Sequence, residues 1–418
     1  MQTVVDVVNF IIGCGASVML PIIIFIFAMI MRADVKKAFV GAVTIGVGFI
    51  GINLVTGTMG NTLGPVAQGM TGRIGLNLSY LDIGWPAMSS IAWAWTLAGL
   101  MIPLCLIVNL IMLALKWTKT MDVDIWNYWQ FVFIGSIVSV ATDSQVLGVI
   151  ACCLSCALAL VLGDYMQPFV DKYFDMPGIS FPHLTALGFL PIVIPLNWLL
   201  DKIPGIDKLY ADPETIRKKF GVFGEPIIMG LVIGLVIGIL GTSNVQQILV
   251  CGMTMAAVMY LMPKMVACLM EGLIPISEAA SSFMQKKFEG RELFIGLDAA
   301  VALGEPSVIA VGLIMVPITI LLAFVIPGNK MMPMADLAVI PFIVCLITAM
   351  CKGNVIRAVI VSTVVMALVL VFATDMAPFE TIMAKRAGVS LQGATTIGNL
   401  DRANFITWAF FKIFSLFA

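Results

Sequence analysis

Ile83 to Leu115 reads IGWPAMSSIAWAWTLAGLMIPLCLIVNLIMLAL, 33 positions without one charge. As a single helix this run would be about 50 Å long, whereas the hydrocarbon core of a bilayer is about 30 Å thick. The surplus opens with Gly84-Trp85-Pro86 and predicts a re-entrant hairpin ahead of a true span. Broken backbone survives at membrane depth only where protein buries it or a watery cavity hydrates it. Glycine-proline breaks in corresponding halves of a chain point to a transporter's site.

The surrounding sequence has the same character. Of 418 residues 61% are apolar and 11% charged, against about 25% charged in an ordinary soluble domain. Mean hydropathy is +1.06. A soluble globule could not hide so much apolar surface. A soluble enzyme, a secreted disulfide scaffold and a nucleic-acid binder are therefore excluded. The net charge of −1 identifies no partner. The nine cysteines lie mostly in apolar runs, where cysteine acts as a small hydrophobe. The composition describes an all-α polytopic protein embedded in a lipid bilayer.

No positive region precedes the first apolar stretch, because the first basic residue is Arg32, so a cleavable signal is not expected. About 20 apolar residues cross a bilayer. On that rule spans fall at Val7–Met31, Ala38–Val55, Leu97–Leu115, Trp126–Ala141, Val146–Leu162, Phe223–Leu240, Val245–Leu269, Ser307–Pro327, Ala335–Cys351, Ile356–Ala373 and from Phe405 onward, eleven in all. Ser180–Leu200 is apolar enough to cross but carries Pro182, Pro191 and Pro195. Lys and Arg favour cytoplasmic loops. If this segment does not cross, one side holds 16 basic residues and the other five, namely Arg73, Lys330, Lys385, Arg386 and Arg402; if it crosses, the split is 10 against 11. The segment is therefore read as re-entrant or interfacial, with the N-terminus outside and the long connection in the cytoplasm.

Five spans precede that connection and five follow it. Gly84-Trp85-Pro86 with Ser90-Ile91-Ala92 echoes Gly304-Glu305-Pro306 with Ser307-Val308-Ile309-Ala310. Both follow polar stretches expected at the interface, Asn61–Ser79 and Ser277–Glu292. Gln145-Val146-Leu147 likewise echoes Asn354-Val355-Ile356. Because five is odd, two such repeats must lie inverted in the membrane. The expected organisation is a first repeat over 1–163, a connection over 164–222, a second repeat over 223–374, and a linker with the last span over 375–418.

Asp298 and Glu305 are the only charges between Glu292 and Lys330. If the stretch between them is helical, seven residues place both carboxylates on one face. Acidic groups inside a membrane normally meet a cavity or a partner. The plainer reading sets Asp298 at the aqueous edge and Glu305 as a helix cap. His183 is the sole histidine and, like most, serves more readily as a structural hydrogen-bonder than as a metal ligand. Cys152-Cys153-Leu154-Ser155-Cys156 lies mid-helix, where small residues pack helices together. Asn53 and Thr56 end the second span as neutral donors and acceptors. Trp93, Trp95, Trp126 and Trp129 suit an interfacial belt, while Trp85 sits in the break.

Three stretches carry a resemblance: Gly48-Phe49-Ile50-Gly51-Ile52-Asn53-Leu54-Val55, Glu271-Gly272-Leu273-Ile274-Pro275-Ile276-Ser277-Glu278-Ala279, and Leu297-Asp298 through Glu305-Pro306-Ser307. They are similar to the galactitol-type IIC permeases, membrane subunits of the bacterial phosphoenolpyruvate-dependent phosphotransferase system, and the similarity runs from Val4 to Trp408. More remotely the chain resembles the ascorbate-type IIC proteins. The resemblance implies an eleven-helix homodimer in the bacterial inner membrane, with inverted five-helix repeats, a moving transport core and a dimerising V-shaped domain. It implies substrate contacts at Asn53, Thr56, Asp82, Trp85, His183 and Asp298. Tyr128 stands where the ascorbate-type proteins have a histidine, and Leu184 where they are more polar, departures that fit a neutral polyol.

The resemblance also implies separate IIA and IIB phosphoryl carriers, since the roughly 60-residue connection cannot hold such a domain with its own core. It calls for no cofactor and no metal. On this reading the chain binds a sugar alcohol outside and carries it inward. It then presents a hydroxyl to phospho-IIB, with Asp298 or Glu305 orienting that hydroxyl. The alternative is a proton- or sodium-coupled transporter of a small polar solute, with Asp298 and Glu305 as coupling carboxylates. An intramembrane enzyme lacks support, for no His-Glu-x-x-His or Gly-x-Ser-x-Gly is present.

Overall fold

Helix follows the apolar runs. The structure, a computed structural model, describes residues 16–30, 32–74, 78–122, 124–205, 221–287, 290–303, 305–389 and 394–418. The first half holds α1 (Ala16–Ile30), α2 (Val35–Ile74), β1 (Tyr80–Asp82), α3 (Trp85–Trp93), α4 (Ala98–Ala114), β2 (Thr120–Asp122), α5 (Trp129–Thr142) and α6 (Gln145–Phe174). The connection contributes β3 (Ile179–Ser180), α7 (Leu184–Leu187) and α8 (Leu190–Leu200). The second half holds α9 (Pro226–Gly241), α10 (Val245–Lys287), β4 (Phe294–Gly296), α11 (Pro306–Val325), β5 (Met331–Met332), α12 (Ile340–Met350), α13 (Val355–Arg386), β6 (Thr396–Gly398) and α14 (Phe405–Ser415). Among the described residues four helices are long and apolar enough to cross a membrane, or five if the bent pair α3–α4 counts as one span. Several shorter apolar helices accompany them.

The long charge-free run breaks as its length requires. α3 and α4 meet at 95°, and the two helices start from different caps. Gly84 opens α3 at φ 79° with Pro86 in the first turn. A side chain there would strain the backbone and would meet Ala335 Cβ at 2.8 Å. Ser180–Leu200 breaks too, into β3, the four-residue α7 and then α8, so it is not one continuous helix.

Two features differ from the simplest reading of the spans. The polar stretches at 61–79 and 277–292 lie past the ends of the spans read at Ala38–Val55 and Val245–Leu269, and the helices do not stop at those ends. Instead α2 continues to Ile74 and α10 to Lys287, at 40 and 43 residues. Pro65 is absorbed within α2, as are Gly64, Gly69 and Gly72. A helical segment from Asp298 to Glu305 would place both carboxylates on one face. The segment instead forms a single 3₁₀ turn at Ala299–Ala302, and each acid caps a different element.

Six short strands make two parallel sheets, ordered β5-β1-β6 and β2-β4-β3. Leu81 pairs with both Met332 and Ile397, and Ile295 pairs with both Met121 and Ile179. Exchanging β1 with β4, β2 with β5 and β3 with β6 turns one sheet into the other. β1 comes from before the connection and its flanking strands from after it, whereas β4 comes from after it and is flanked by β2 from before it and β3 from the connection itself. The halves differ beyond the strand. α3 starts three residues after Asp82, whereas the extra 3₁₀ turn delays α11 until Pro306.

Three of the four sheet edges, at β2, β5 and β6, are met by side chains, which satisfies backbone that would otherwise be unpaired. The Asn109 amide donates to Thr120 O at 2.8 Å and accepts from Asp122 N at 3.0 Å. Asn329 does the same for Met331, at 3.0 and 3.1 Å. The Thr381 hydroxyl accepts from Ile397 N at 3.0 Å.

Outside this sheet-centred assembly, α1, α2, α9 and α10 pack on one another. Glycine permits the closeness, as is usual where no water drives helices together. A Cβ on Gly272 would lie 2.6 Å from Gly41 O, and Gly41 is equally tight against Gly272. Gly272→Ala must therefore spread α2 from α10, at about 1–3 kcal/mol. The expected outcome is a lower melting temperature in detergent than wild type; an unchanged melt would show that the crossing yields without cost.

Candidate functional site

A cavity of about 90 Å³ lies where the two sheets point toward each other, lined by Trp85, Asn127, Trp129, Gln130, His183, Thr185, Asp298, Ala300, Val339, Phe342 and Asp401. Its volume is far below the 300–1,000 Å³ of drug-sized pockets, which suits a small ligand. The first sheet delivers Trp85, four residues past Leu81, and Asp401, four past Ile397. The second delivers Asp298, three past Ile295, and His183, four past Ile179. By strand register His183 and Asp401 hold equivalent positions in the two sheets.

Carboxylates fix this backbone. Asp82 is fully buried; its Oδ1 accepts from Gly84 N at 3.0 Å, and its Oδ2 from Met334 N and Asp336 N, both at 2.9 Å. Asp336, also fully buried, accepts from Trp85 N at 2.7 Å on Oδ1. Its Oδ2 accepts from Leu400 N at 2.8 Å and Asp401 N at 3.0 Å. The two acids thus tie β1, β5 and β6 together just beyond their ends and set where Trp85 and Asp401 stand.

On the other side Asp298 caps the 3₁₀ turn, its Oδ1 accepting from Ala300 N at 2.8 Å. His183 Nε2 lies 3.7 Å from the same oxygen, too long for a direct hydrogen bond. His183 Nδ1 is buried with no partner among the described residues. Gln130 Oε1 accepts from Leu184 N at 2.6 Å and so holds the chain just after His183. An aromatic wall completes the site. Trp85 stacks on Trp129 with ring centroids 5.9 Å apart, and the Arg402 guanidinium lies 4.7 Å over Trp129. Arg402 is fully buried, pairs with Asp401 Oδ2 at 2.9 Å and donates to the Thr185 hydroxyl.

The structure therefore brings together three of the residues singled out from sequence: Trp85, His183 and Asp298. It places three others elsewhere. Asp82 braces backbone behind the cavity. Tyr128 is buried with its hydroxyl donating to Asp122 O at 3.0 Å. Glu305 Oε2 accepts from Val308 N at 2.8 Å and caps α11, the plainer of the two readings. Asn53 and Thr56 stand on α2, and their side chains lie outside the described residues. Sequence reasoning missed Asn127, Trp129, Gln130, Thr185 and Asp401. Trp129 passed for a belt residue, yet it is buried. Arg402 passed for an outer loop charge. The available signal was that Asp401 and Arg402 are the only charges between Arg386 and Lys412. The cysteines behave as packing groups: Cys105, Cys152 and Cys156 are buried and free, with Cys105 Sγ 3.8 Å from Cys152 Sγ.

The family model for sugar-specific permease components of the phosphotransferase system matches residues 10–394. The chain belongs to this permease family. It is 38% identical over 411 residues to the galactitol-specific EIIC component of the phosphotransferase system of Escherichia coli (strain K12), covering 98% of this chain and 91% of that protein. The galactitol-specific EIIC component of Escherichia coli O157:H7 matches equally. A putative permease IIC component of strain K12 is 37% identical over 409 residues, covering 98% of this chain and 94% of that one. In this permease the cavity lies at interrupted backbone drawn from both sides of the connection.

Asp336→Asn tests the bracing. An amide cannot accept on both sides, so at least one of the Trp85, Leu400 and Asp401 N–H groups is left without its acceptor, at about 1–3 kcal/mol. A lower melting temperature in detergent is expected. Wild-type stability would show that those N–H groups have other partners.

Proposed function

We propose that this IIC permease binds and translocates a sugar alcohol, galactitol or a close relative, and that a separate IIB protein phosphorylates it. The observation that carries this reading is the pairing of a stacked Trp85–Trp129 wall with the Asp298–His183 pair in one small cavity. A hexitol presents C–H surface to an aromatic face and hydroxyls to a carboxylate and an imidazole. The 3.7 Å gap between His183 Nε2 and Asp298 Oδ1 leaves room for a ligand hydroxyl to bridge them. Asp298 is the group that orients that hydroxyl. The phosphoryl group arrives from IIA by way of IIB at the cytoplasmic face, and the charged product is released there.

The same reading carries a membrane topology. Eleven spans, N-terminus outside, place β1, β5 and β6 toward the outer face and β2, β3 and β4 toward the cytoplasm. The same reading holds two inverted repeats, over 1–163 and 223–374, joined by the connection at 164–222 and followed by 375–418; the strand exchange supports the inversion, although β3 and β6, which it also relates, lie past those bounds. Burial of Arg402 removes one basic residue from the outer tally of five and deepens the cytoplasmic bias. The exposed apolar residues of α2 and α10, among them Phe39, Val43, Val47, Leu249 and Met253, support a scaffold of α1, α2, α9 and α10. That scaffold dimerises and lets the sheet-centred core move against it.

Binding of radiolabelled galactitol to the purified protein tests the reading, with sodium and pH varied and Asp298→Asn alongside. Saturable binding that is indifferent to both ions and falls at least tenfold in the variant is expected. Binding that requires sodium or a proton would point instead to a coupled transporter.

A further inference from the structure

The Asp401–Arg402 pair has no role in the reading above, and its hydrogen bonding is incomplete. Asp401 is 1% exposed and lines the cavity. Its Oδ2 is taken by Arg402 at 2.9 Å, while its Oδ1 has no partner among the described residues. Buried carboxylates normally satisfy both oxygens, since an unmade hydrogen bond costs free energy and a buried ion pair is tolerated only when its remaining sites are bonded. A counter-ion needed only to neutralise Arg402 would have no reason to line the cavity. The backbone is fixed as a binding position would be: Asp336 holds Asp401 N at 3.0 Å, and strand register makes Asp401 the counterpart of His183.

We infer that Asp401 is a second substrate-gripping carboxylate, supplied by the opposite sheet from Asp298 and His183, and that its Oδ1 accepts a hydroxyl of the bound polyol. This rests on the polyol reading and narrows it. Two carboxylates in one cavity demand a neutral ligand that brings O–H donors at separated points along its chain. A carboxylate or phosphate ester would meet repulsion from both sides of the cavity. The same arrangement that holds the alcohol therefore disfavours its phosphorylated product. Arg402 and Thr185 act as positioning residues, since Arg402 ties the Asp401 carboxylate to the Thr185 hydroxyl and the Trp129 face.

Displacement of radiolabelled galactitol from the purified full-length protein by each monodeoxy galactitol tests the assignment. Wild type is expected to bind at least one monodeoxy form tenfold or more weakly than galactitol. In Asp401→Asn, galactitol itself weakens about tenfold or more, and that deoxy form then binds as well as the parent, because Arg402 takes the amide oxygen and the NH2 left in place of Oδ1 cannot accept the hydroxyl's hydrogen bond. Uniform weakening for every ligand, or no change, overturns the inference. If the asparagine variant fails to fold, Asp401→Glu keeps a charge for Arg402 but displaces the carboxylate by one methylene. It too should lose discrimination at that one hydroxyl, and wild-type discrimination in it overturns the proposal. If wild type binds galactitol and Asp298→Asn abolishes binding while both Asp401 variants behave as wild type, this inference fails alone. If wild type binds no sugar alcohol, it falls together with the function proposed above.

Discussion

Backbone that leaves a helix inside a membrane protein must find partners for its N–H groups, and here Asp82 and Asp336 supply them. Between them they accept six backbone hydrogen bonds from three separated parts of the chain. Buried backbone that leaves a helix needs such acceptors, and the carboxylates hold the interrupted segments in place. Asn109, Asn329 and Thr381 perform the same service at the strand edges. Once these groups are in place, Trp85, His183, Asp298 and Asp401 emerge from strand ends at fixed offsets. The cavity follows from that convergence.

The two sheets also explain why the site is chemically two-sided although the halves of the chain share one strand plan. One sheet contributes an aromatic ring and an acid, the other an acid and an imidazole. The asymmetry comes from the second half, where a 3₁₀ turn separates β4 from α11. In the first half the chain passes from β1 into α3 through Gly84, which has no side chain to offer. In the second the register-equivalent position is Asp298. The longer segment between β4 and α11 therefore puts an acid at the cavity where the first half has a bare corner.

Much of this was legible beforehand, and the parts that were share a cause. That the run after Gly84-Trp85-Pro86 is broken followed from a length mismatch with the bilayer, while the bend itself falls later, between Trp93 and Ala98. The broken character of Ser180–Leu200 followed from three prolines and the distribution of basic residues. Trp85, His183 and Asp298 stood out because a break, a unique histidine and an intramembrane acid are each rare. Asp82 and Glu305 were equally rare as residue types, yet one braces backbone and the other caps a helix. Residue type alone does not distinguish an acid that binds a ligand from one that binds N–H groups. Trp129 and Arg402 were misplaced because an aromatic belt and an outer loop are the common settings for those residues.

The sequence by itself determined that the chain is helical, membrane-embedded and broken at particular points, and which family it resembles. Those properties depend on local composition, run length and motif, all of which are written along the chain. Only the tertiary structure decided that residues near 85, 129, 183, 298 and 401 share one cavity. Parallel strands from distant segments pair in a register that no local pattern encodes. The strand exchange between halves appeared only when Leu81 was found beside Met332 and Ile397. Which acids face the cavity was settled at the same level, because a carboxylate's partner is chosen by whichever unsatisfied N–H group the folded backbone brings within reach.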